Sequence, residues 1–230
     1  MTNEPVQMLA SGDADIAVKI TDGQAPTVLW LGGFRSDMDG TKALTLADWG
    51  RANGRRVVRF DYRGHGQSGG RFEDCGISEW RADAERVVAA HGPSPMIAVG
   101  SSMGGWIALL LASEAARAGR PLAGLVLIAP AADFTERLMW PQLPQSARDE
   151  IIARGVTHIP SEYGAPYPIS RHLIEDGRRH LLYGDAPIET GCPVRILQGV
   201  ADADVPHTHV LELVERLATD DVVLTLVKDG

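Results

Sequence analysis

Short apolar runs alternate along the chain with longer stretches whose apolar residues recur at helical spacing. The short runs are typical of buried strands and cover residues 26–31, 56–61, 96–99, 122–128, 192–199 and 222–227. The amphipathic stretches between them predict helices at residues 40–53, 78–91, 103–117 and 207–217. The first is expected to turn Leu44, Ala47 and Trp49 towards the sheet, and Ser78 is expected as the N-cap of the second. This alternation predicts an α/β fold with a mainly parallel sheet and helices on both of its faces.

Two regions depart from this pattern. Residues 6–10 and 16–20 have strand-like composition on either side of Ser11-Gly12-Asp13, which predicts a hairpin at an antiparallel edge of the sheet. Residues 133–185 hold helical pieces at 145–154 and 170–182, several aromatic residues and no clear buried strand, so we expect a helical cap. The predicted division is core at 1–132, cap at 133–185 and core again at 186–230.

The most informative stretch is a Gly-x-Ser-x-Gly pentapeptide centred on Ser102. It follows an apolar strand and precedes an alanine- and leucine-rich helix, which is the context that a nucleophile elbow requires. Gly100 and Gly104 are expected where the sharp turn leaves no room for a side chain, and Gly105 where the helix approaches a neighbouring strand. This arrangement would raise the Ser102 hydroxyl above the sheet edge at a helix N-terminus.

A serine nucleophile needs a base, a group that orients the base, and N–H donors for the oxyanion. We expect these donors to be the backbone N–H groups of Met103, directly after the serine, and of Phe34, in the loop after an early strand. Gly32-Gly33 before Phe34 has an alternative interpretation as an ordinary tight turn. Asp202 and Asp204, in the loop after a buried strand, are both candidates for the acid, and either is also compatible with a solvated loop carboxylate.

Composition excludes several functional classes. The 230 residues are enough for one α/β domain, and a net charge of −8 argues against a nucleic-acid or anionic-membrane partner. No apolar run reaches the roughly 18 residues of a membrane span. The N-terminus has no basic and apolar signal segment, and Cys75 and Cys192 lie apart in loop-like sequence, so we expect a cytoplasmic protein with two unpaired cysteines.

Residues 40–44, 59–62, 99–106 and 199–206 carry a family resemblance. The chain resembles the serine α/β-hydrolases throughout its length, and most of all the branch of mitochondrial palmitoyl-protein thioesterases and acyl-glucuronide esterases with its bacterial relatives. The resemblance implies a helical cap after the sixth strand, no cofactor, and cleavage of esters or thioesters through an acyl-serine intermediate. It also implies that Asp202 is the triad acid in preference to Asp204.

The histidine base of this family follows the last strand, whereas the sequence ends at Gly230, a residue or two before that position, without the family's final helix. We therefore expect the base to follow Gly230 in a longer chain. His207 and His209 are alternatives, although they open a helix that should lead away from the site, and they lack the carboxylate pattern of a metal site. The family counterpart of His65 is structural, and the other histidines are expected at the surface or in the cap.

The leading interpretation is a hydrolase whose partner is a small acyl ester or thioester, or an acylated protein. Alternatives are a ligand-binding relative without turnover and a peptidase or lactonase with the same triad. Side chains that could line an acyl pocket, or instead pack the cap onto the core, are Trp106, Met139, Trp140, Tyr163, Tyr167 and Tyr183.

Overall fold

The computed structural model describes residues 4–10, 12–92, 95–161 and 164–230. Their main sheet has the strand order β1-β2-β4-β3-β5-β6-β9-β10. Its strands are β1 (Gln7–Leu9), β2 (Ile16–Thr21), β3 (Gln24–Leu31), β4 (Arg55–Phe60), β5 (Met96–Ser101), β6 (Gly124–Ile128), β9 (Val194–Gly199) and β10 (Val222–Val227). The β1–β2 and β2–β4 pairs are antiparallel and the other pairs are parallel, which confirms both the parallel sheet and its antiparallel edge.

The helices lie close to the positions that the periodicity predicts. They are α1 (Thr41–Ala52), α2 (Ile77–His91), α3 (Met103–Arg117), α4 (Trp140–Gln142), α5 (Gln145–Arg154), α6 (Arg171–Gly177) and α7 (His207–Arg216), with a π-helical turn at Thr135–Met139 and 3-10 turns at Phe72–Asp74 and Arg178–His180. One contiguous apolar core joins the sheet to α2, α3, α7 and the cap. Burial of this apolar area is the main favourable contribution to folding.

On the opposite face, α1 packs on a smaller core through Ala43, Ala47 and Gly50. A Cβ atom on Gly50 would lie 2.4 Å from Cγ2 of Val57, so small residues must face the sheet. The expectation that Leu44 and Trp49 form the apolar side of α1 is therefore wrong, since they are 38% and 45% exposed. Trp49 instead borders an open apolar groove of about 620 Å³ beside α1, whose floor includes Ile97, Val126 and Leu197.

The cap segment contains a hairpin that the sequence did not predict. Strands β7 (Val156–Ser161) and β8 (Gly164–Ser170) pair antiparallel, with Ile159 opposite Tyr167. Prolines at 160, 166 and 168 hide the alternating pattern, because proline cannot donate to a strand ladder and is uncommon inside strands. The cap is therefore mixed and not purely helical. Tyr163, one of the predicted pocket residues, lies outside the described residues.

The cap is fastened to the core at the N-terminus of α2. Ser78 was expected as the N-cap, but the helix begins at Ile77, and Glu79 accepts the Gly76 N–H at 2.7 Å. The buried Asp176 of α6 accepts the Ser78 N–H at 2.7 Å and the Ser78 hydroxyl at 2.6 Å. One free N–H group of the first turn, that of Ser78, is thus satisfied by a residue 98 positions away.

Replacing Asp176 with alanine should lower the free energy of unfolding by about 1–3 kcal/mol, because the partly buried N–H and hydroxyl of Ser78 lose their acceptor. Urea unfolding at pH 7 measures this change. The matched control is Glu175→Ala, which removes an exposed carboxylate from the same helix and should stay within about 0.5 kcal/mol of the unsubstituted chain. Equal stabilities of the two variants would contradict the assigned role of Asp176.

Candidate active site

Ser102 stands on a sharp turn between β5 and α3. Its backbone has φ 54° and ψ −120°, a conformation that residues other than glycine rarely adopt. The Ser102 N–H donates to the carbonyl oxygen of Ile128 at 2.9 Å, which ties the turn to the end of β6. The Ser102 hydroxyl has no hydrogen-bond partner among the described residues, so it is free to meet a base or a ligand.

The flanking glycines allow the backbones to approach closely. A Cβ atom on Gly104 would lie 2.0 Å from the carbonyl oxygen of Leu31, and one on Gly100 would lie 2.4 Å from that of Gly104. Alanine at either position would therefore collide with main-chain atoms that cannot move independently. The pentapeptide glycines are steric requirements of the turn.

The loop after β3 lies beside the serine because Leu31 pairs with Gly100 in the sheet. A Cβ atom on Gly33 would be 3.4 Å from Cβ of Ser102, so this loop packs against the turn. Among the described residues, neither the Phe34 N–H nor the Met103 N–H donates a hydrogen bond. Both donors, with the N-terminus of α3, can therefore stabilise an anion that forms next to Ser102.

A cavity of about 410 Å³ opens from Ser102 towards the cap. Of the predicted pocket residues, Met139 and Tyr167 line it, and the predicted oxyanion residue Phe34 does so too. Trp106 takes the other role that the sequence allowed and packs the cap onto the core, since it is fully buried and its indole N–H donates to the His180 carbonyl at 3.1 Å. Trp140 is also outside the lining, and the Arg178 guanidinium lies 5.5 Å from its ring centre.

Several cavity residues were missed by sequence reasoning, among them Phe134, Leu138, Leu143, Ile159 and Ile169. A signal was available for Phe134, because it follows β6 and so lies at the same sheet edge as Ser102. No comparable signal existed for the hairpin residues, whose approach to the site depends on how the cap folds over the core.

The Asp202 carboxylate organises the loop that follows β9. One of its oxygens accepts the Asp204 N–H at 3.0 Å and the Val205 N–H at 2.8 Å. Asp204 is exposed and lines the cavity together with Val205. The carbonyl of Gly230 accepts the N–H of Ala201 at 3.0 Å, so the end of the described chain lies directly beside the Asp202 loop.

Within the described residues, no histidine side chain contacts Asp202. The His209 ring is buried, stacks on Tyr183 with 4.8 Å between ring centres, and has its pKa lowered by burial. His180 faces the Ser78 hydroxyl at 2.7 Å, and His172 faces Glu79 at 2.9 Å. His207 opens α7, as predicted from the sequence, and its side chain makes no hydrogen bond to a described residue.

Glu79, His172 and Asp176 are the one group of metal-ligand types that the described residues bring within 4.8 Å of one another. Glu79 already accepts from Gly76 and pairs with His172, while Asp176 accepts from Ser78, so their polar atoms serve the contact between α2 and α6.

The cysteines are free and buried, and burial raises the pKa of Cys75 to about 12, which disfavours a reactive thiolate.

His65 is buried beside the loop that holds Phe34. Its Nδ1 lies 3.2 Å from the Arg63 carbonyl, and its Nε2 accepts the Arg35 N–H at 3.1 Å. These partners require a neutral ring with the proton on Nδ1. Burial, followed by the nearby Arg35 charge, lowers its pKa from 6.5 to about 4.

A histidine with a lowered pKa makes the folded state less stable as pH falls, because between pH 6.5 and 4 the unfolded chain binds the extra proton. Within this range the free energy of unfolding falls by about 1.4 kcal/mol for each pH unit. Urea unfolding of the unsubstituted chain and His65→Gln should show their stability difference shrinking by about 2 kcal/mol from pH 7 to pH 5. Comparing the two chains cancels the opposite contributions of Asp61 and Asp133, whose pKa values burial raises. Parallel stability profiles would contradict the neutral buried ring.

Comparison with known proteins places this geometry in a family. The profile of the Hydrolase_4 family, described as serine aminopeptidase S33, matches residues 26–171. The bovine mitochondrial palmitoyl-protein thioesterase ABHD10 is 35% identical over 218 residues, which cover 94% of this chain and 70% of that protein.

Two solved structures share the fold of this chain. An Agrobacterium vitis protein superposes with a TM-score of 0.91 and 46% identity over 99% of this chain and 90% of its own. The mouse α/β-hydrolase domain-containing protein 10 gives a TM-score of 0.86 and 32% identity over 98% of this chain and 90% of its own. No helix in the described residues is long and apolar enough to cross a membrane. The elbow, the eight-stranded sheet and these matches together show that the chain belongs to the Hydrolase_4 family of α/β-hydrolases, with the ABHD10 thioesterases among its relatives.

Proposed function

We propose that the protein is a serine hydrolase that cleaves carboxylic esters or thioesters. The observation that carries this proposal is the strained turn at Ser102, which borders a cavity lined mainly by apolar side chains. Among the described residues, the Ser102 hydroxyl and the nearby Phe34 and Met103 N–H groups have no hydrogen-bond partner. Strained backbone of this kind persists only where the surrounding structure holds it, and it concentrates at functional sites. The thioesterase relatives support an acyl substrate of the same chemical class.

In the proposed reaction, Ser102 Oγ bonds to the acyl carbon while its proton passes to a base, and the Phe34 and Met103 N–H groups stabilise the tetrahedral oxyanion. The base returns the proton to the departing alcohol or thiol, leaving an acyl-serine. Water then attacks the acyl carbon, its proton again goes to the base, and Ser102 leaves with that proton as the free acid departs.

Asp202 is the proposed acid that orients the base. No described histidine faces its carboxylate, so the labelling experiment below is designed to identify the base. The hydrogen bond from the Ala201 N–H to the Gly230 carbonyl places Gly230 beside the loop that holds Asp202. A long-chain acyl thioester or an acyl-glucuronide-like ester is the proposed substrate class, and a cytoplasmic location stays a prediction.

The second candidate is a binding protein of the same fold without turnover. The observation in its favour is that Asp202 has only backbone partners among the described residues. A peptidase or lactonase would use the same serine and would differ in the substrates that the cap lets into the cavity. The family description, serine aminopeptidase, keeps this alternative relevant.

Ser102→Ala should abolish covalent labelling by a fluorophosphonate and lower ester hydrolysis at least about 10³-fold, because the nucleophile is lost. Intact-mass analysis and adduct mapping measure labelling, both on the 230 residues and on the full coding sequence. Ser113→Ala is the matched control, since it removes a buried hydroxyl without a hydrogen-bond partner from α3, away from the site.

Labelling of the longer chain alone would place the base after Gly230. Labelling of both chains would require a histidine within the 230 residues. An adduct at a residue other than Ser102, or unreduced hydrolysis by Ser102→Ala, would overturn the mechanism. A longer chain that neither labels nor hydrolyses esters, yet binds fatty acids, would favour the binding protein.

If the cavity holds the acyl chain, Met139→Trp should narrow it and lower kcat/KM for long-chain p-nitrophenyl esters about tenfold relative to the acetate. The same change at the exposed Ile152, on cap helix α5, should leave the chain-length profile unaltered. Equal profiles for the two variants would show that Met139 packs the cap and does not contact substrate.

A further inference from the structure

The Phe34 N–H belongs to a loop in which hydrogen bonds hold the two neighbouring polar groups. Ser36 bonds the Gly33 carbonyl, and His65 bonds the Arg35 N–H. The carbonyl of Gly33, in the same peptide unit as the Phe34 N–H, accepts from the Ser36 N–H at 3.1 Å and from the Ser36 hydroxyl at 2.8 Å. A trans peptide directs its N–H opposite to its C=O. The bonds to Ser36 therefore aim the Phe34 N–H away from Ser36.

The next peptide unit is held by His65. The N–H of Arg35 donates to His65 Nε2 at 3.1 Å, and Arg35 has a φ of 59°. For an arginine this left-handed conformation is strained and needs support from its surroundings. Without the His65 acceptor, the Arg35 N–H would lose its partner and the strained turn its restraint.

His65 is itself buried and held by contacts on several sides. Its Nδ1–H donates to the Arg63 carbonyl, which also accepts the Trp80 indole N–H at 3.1 Å. The rings of Phe72 and Trp80 contact the imidazole with centre separations of 5.1 and 5.3 Å. A fixed and neutral ring thus offers one lone pair in a constant position to the loop that carries the oxyanion donor.

We propose that His65 is a positioning residue for catalysis, which acts by holding the Arg35 N–H and so fixing the direction of the Phe34 N–H towards the oxyanion. This role rests on the proposed hydrolase function. His65 neither touches substrate nor serves as the base. It supplies the preorganisation that lets an N–H donor act without reorientation during the reaction.

The test compares two substitutions in the full coding sequence. His65→Leu fills similar space without an acceptor and should lower kcat for a p-nitrophenyl ester about 10- to 100-fold, with KM changed less than about twofold, because a misplaced donor weakens only the transition state. His65→Gln restores an acceptor near the position of Nε2 and should recover kcat to within about fivefold of the unsubstituted enzyme.

The matched control is Phe72→Leu, which removes ring packing from both His65 and Phe34 and leaves the polar bond in place. It should lower stability as much as His65→Leu does and change kcat less than about threefold. Ser36→Ala, which removes one of the two bonds to the Gly33 carbonyl, should lower kcat by a smaller factor of about 2–10.

The positioning role is overturned if His65→Leu and Phe72→Leu lose kcat equally, if the loss appears in KM, or if His65→Gln is as slow as His65→Leu. Fluorophosphonate labelling separates this failure from that of the proposed function. A chain that labels at Ser102 with a rate unaffected by His65→Leu overturns the positioning role alone, and a chain that neither labels nor hydrolyses overturns both.

Discussion

The left-handed backbone of Ser102 is the constraint on which the site depends. The described non-glycine residues with positive φ are Arg35, Ser102, Ala129 and Asp133, and all of them lie just after the carboxyl ends of β3, β5 and β6. Strain of about 1–3 kcal/mol for each such residue is tolerable only where neighbouring elements leave no alternative. Three adjacent parallel strands ending at one edge provide that setting, so the strain is concentrated where loops converge on the serine.

The segment after β4 forms a rigid frame behind these loops. Asp61 accepts the Met38 N–H at 2.7 Å with one oxygen and the Gln67 N–H at 2.8 Å with the other, which joins the loop after β3 to its own loop. Arg63 pairs with the fully buried Asp83 at 2.7 Å and anchors the same segment to α2. Buried charges and polar groups are costly unless they are hydrogen-bonded, so a satisfied network of this kind specifies a single loop arrangement.

The sequence was sufficient to predict those parts of the fold that depend on residues close together in the chain. Strands, helices and the elbow were predictable because apolar periodicity and steric glycines act over a few residues. It failed where partners lie far apart, as in the capping of α2 by Asp176, and where prolines masked the β7–β8 hairpin. The residues around Ser102 that lie in its own motif and loops were accessible to sequence reasoning. The cavity walls supplied by the cap were not, because their positions depend on tertiary packing.

Phe34 links the serine turn to the cap hairpin, two parts of the site that sequence reasoning treated separately. Phe34 lines the same cavity as Ser102, while its ring contacts Phe134 at 5.5 Å and Tyr167 of the cap hairpin at 6.3 Å between centres. The Arg35 guanidinium also lies 4.2 Å from the centre of the Tyr167 ring. A shift of the hairpin would therefore press on Phe34, the proposed oxyanion donor. Because hydrogen bonds hold the segment behind Phe34 and the hairpin is small, the hairpin is the element expected to adjust when a ligand enters the cavity.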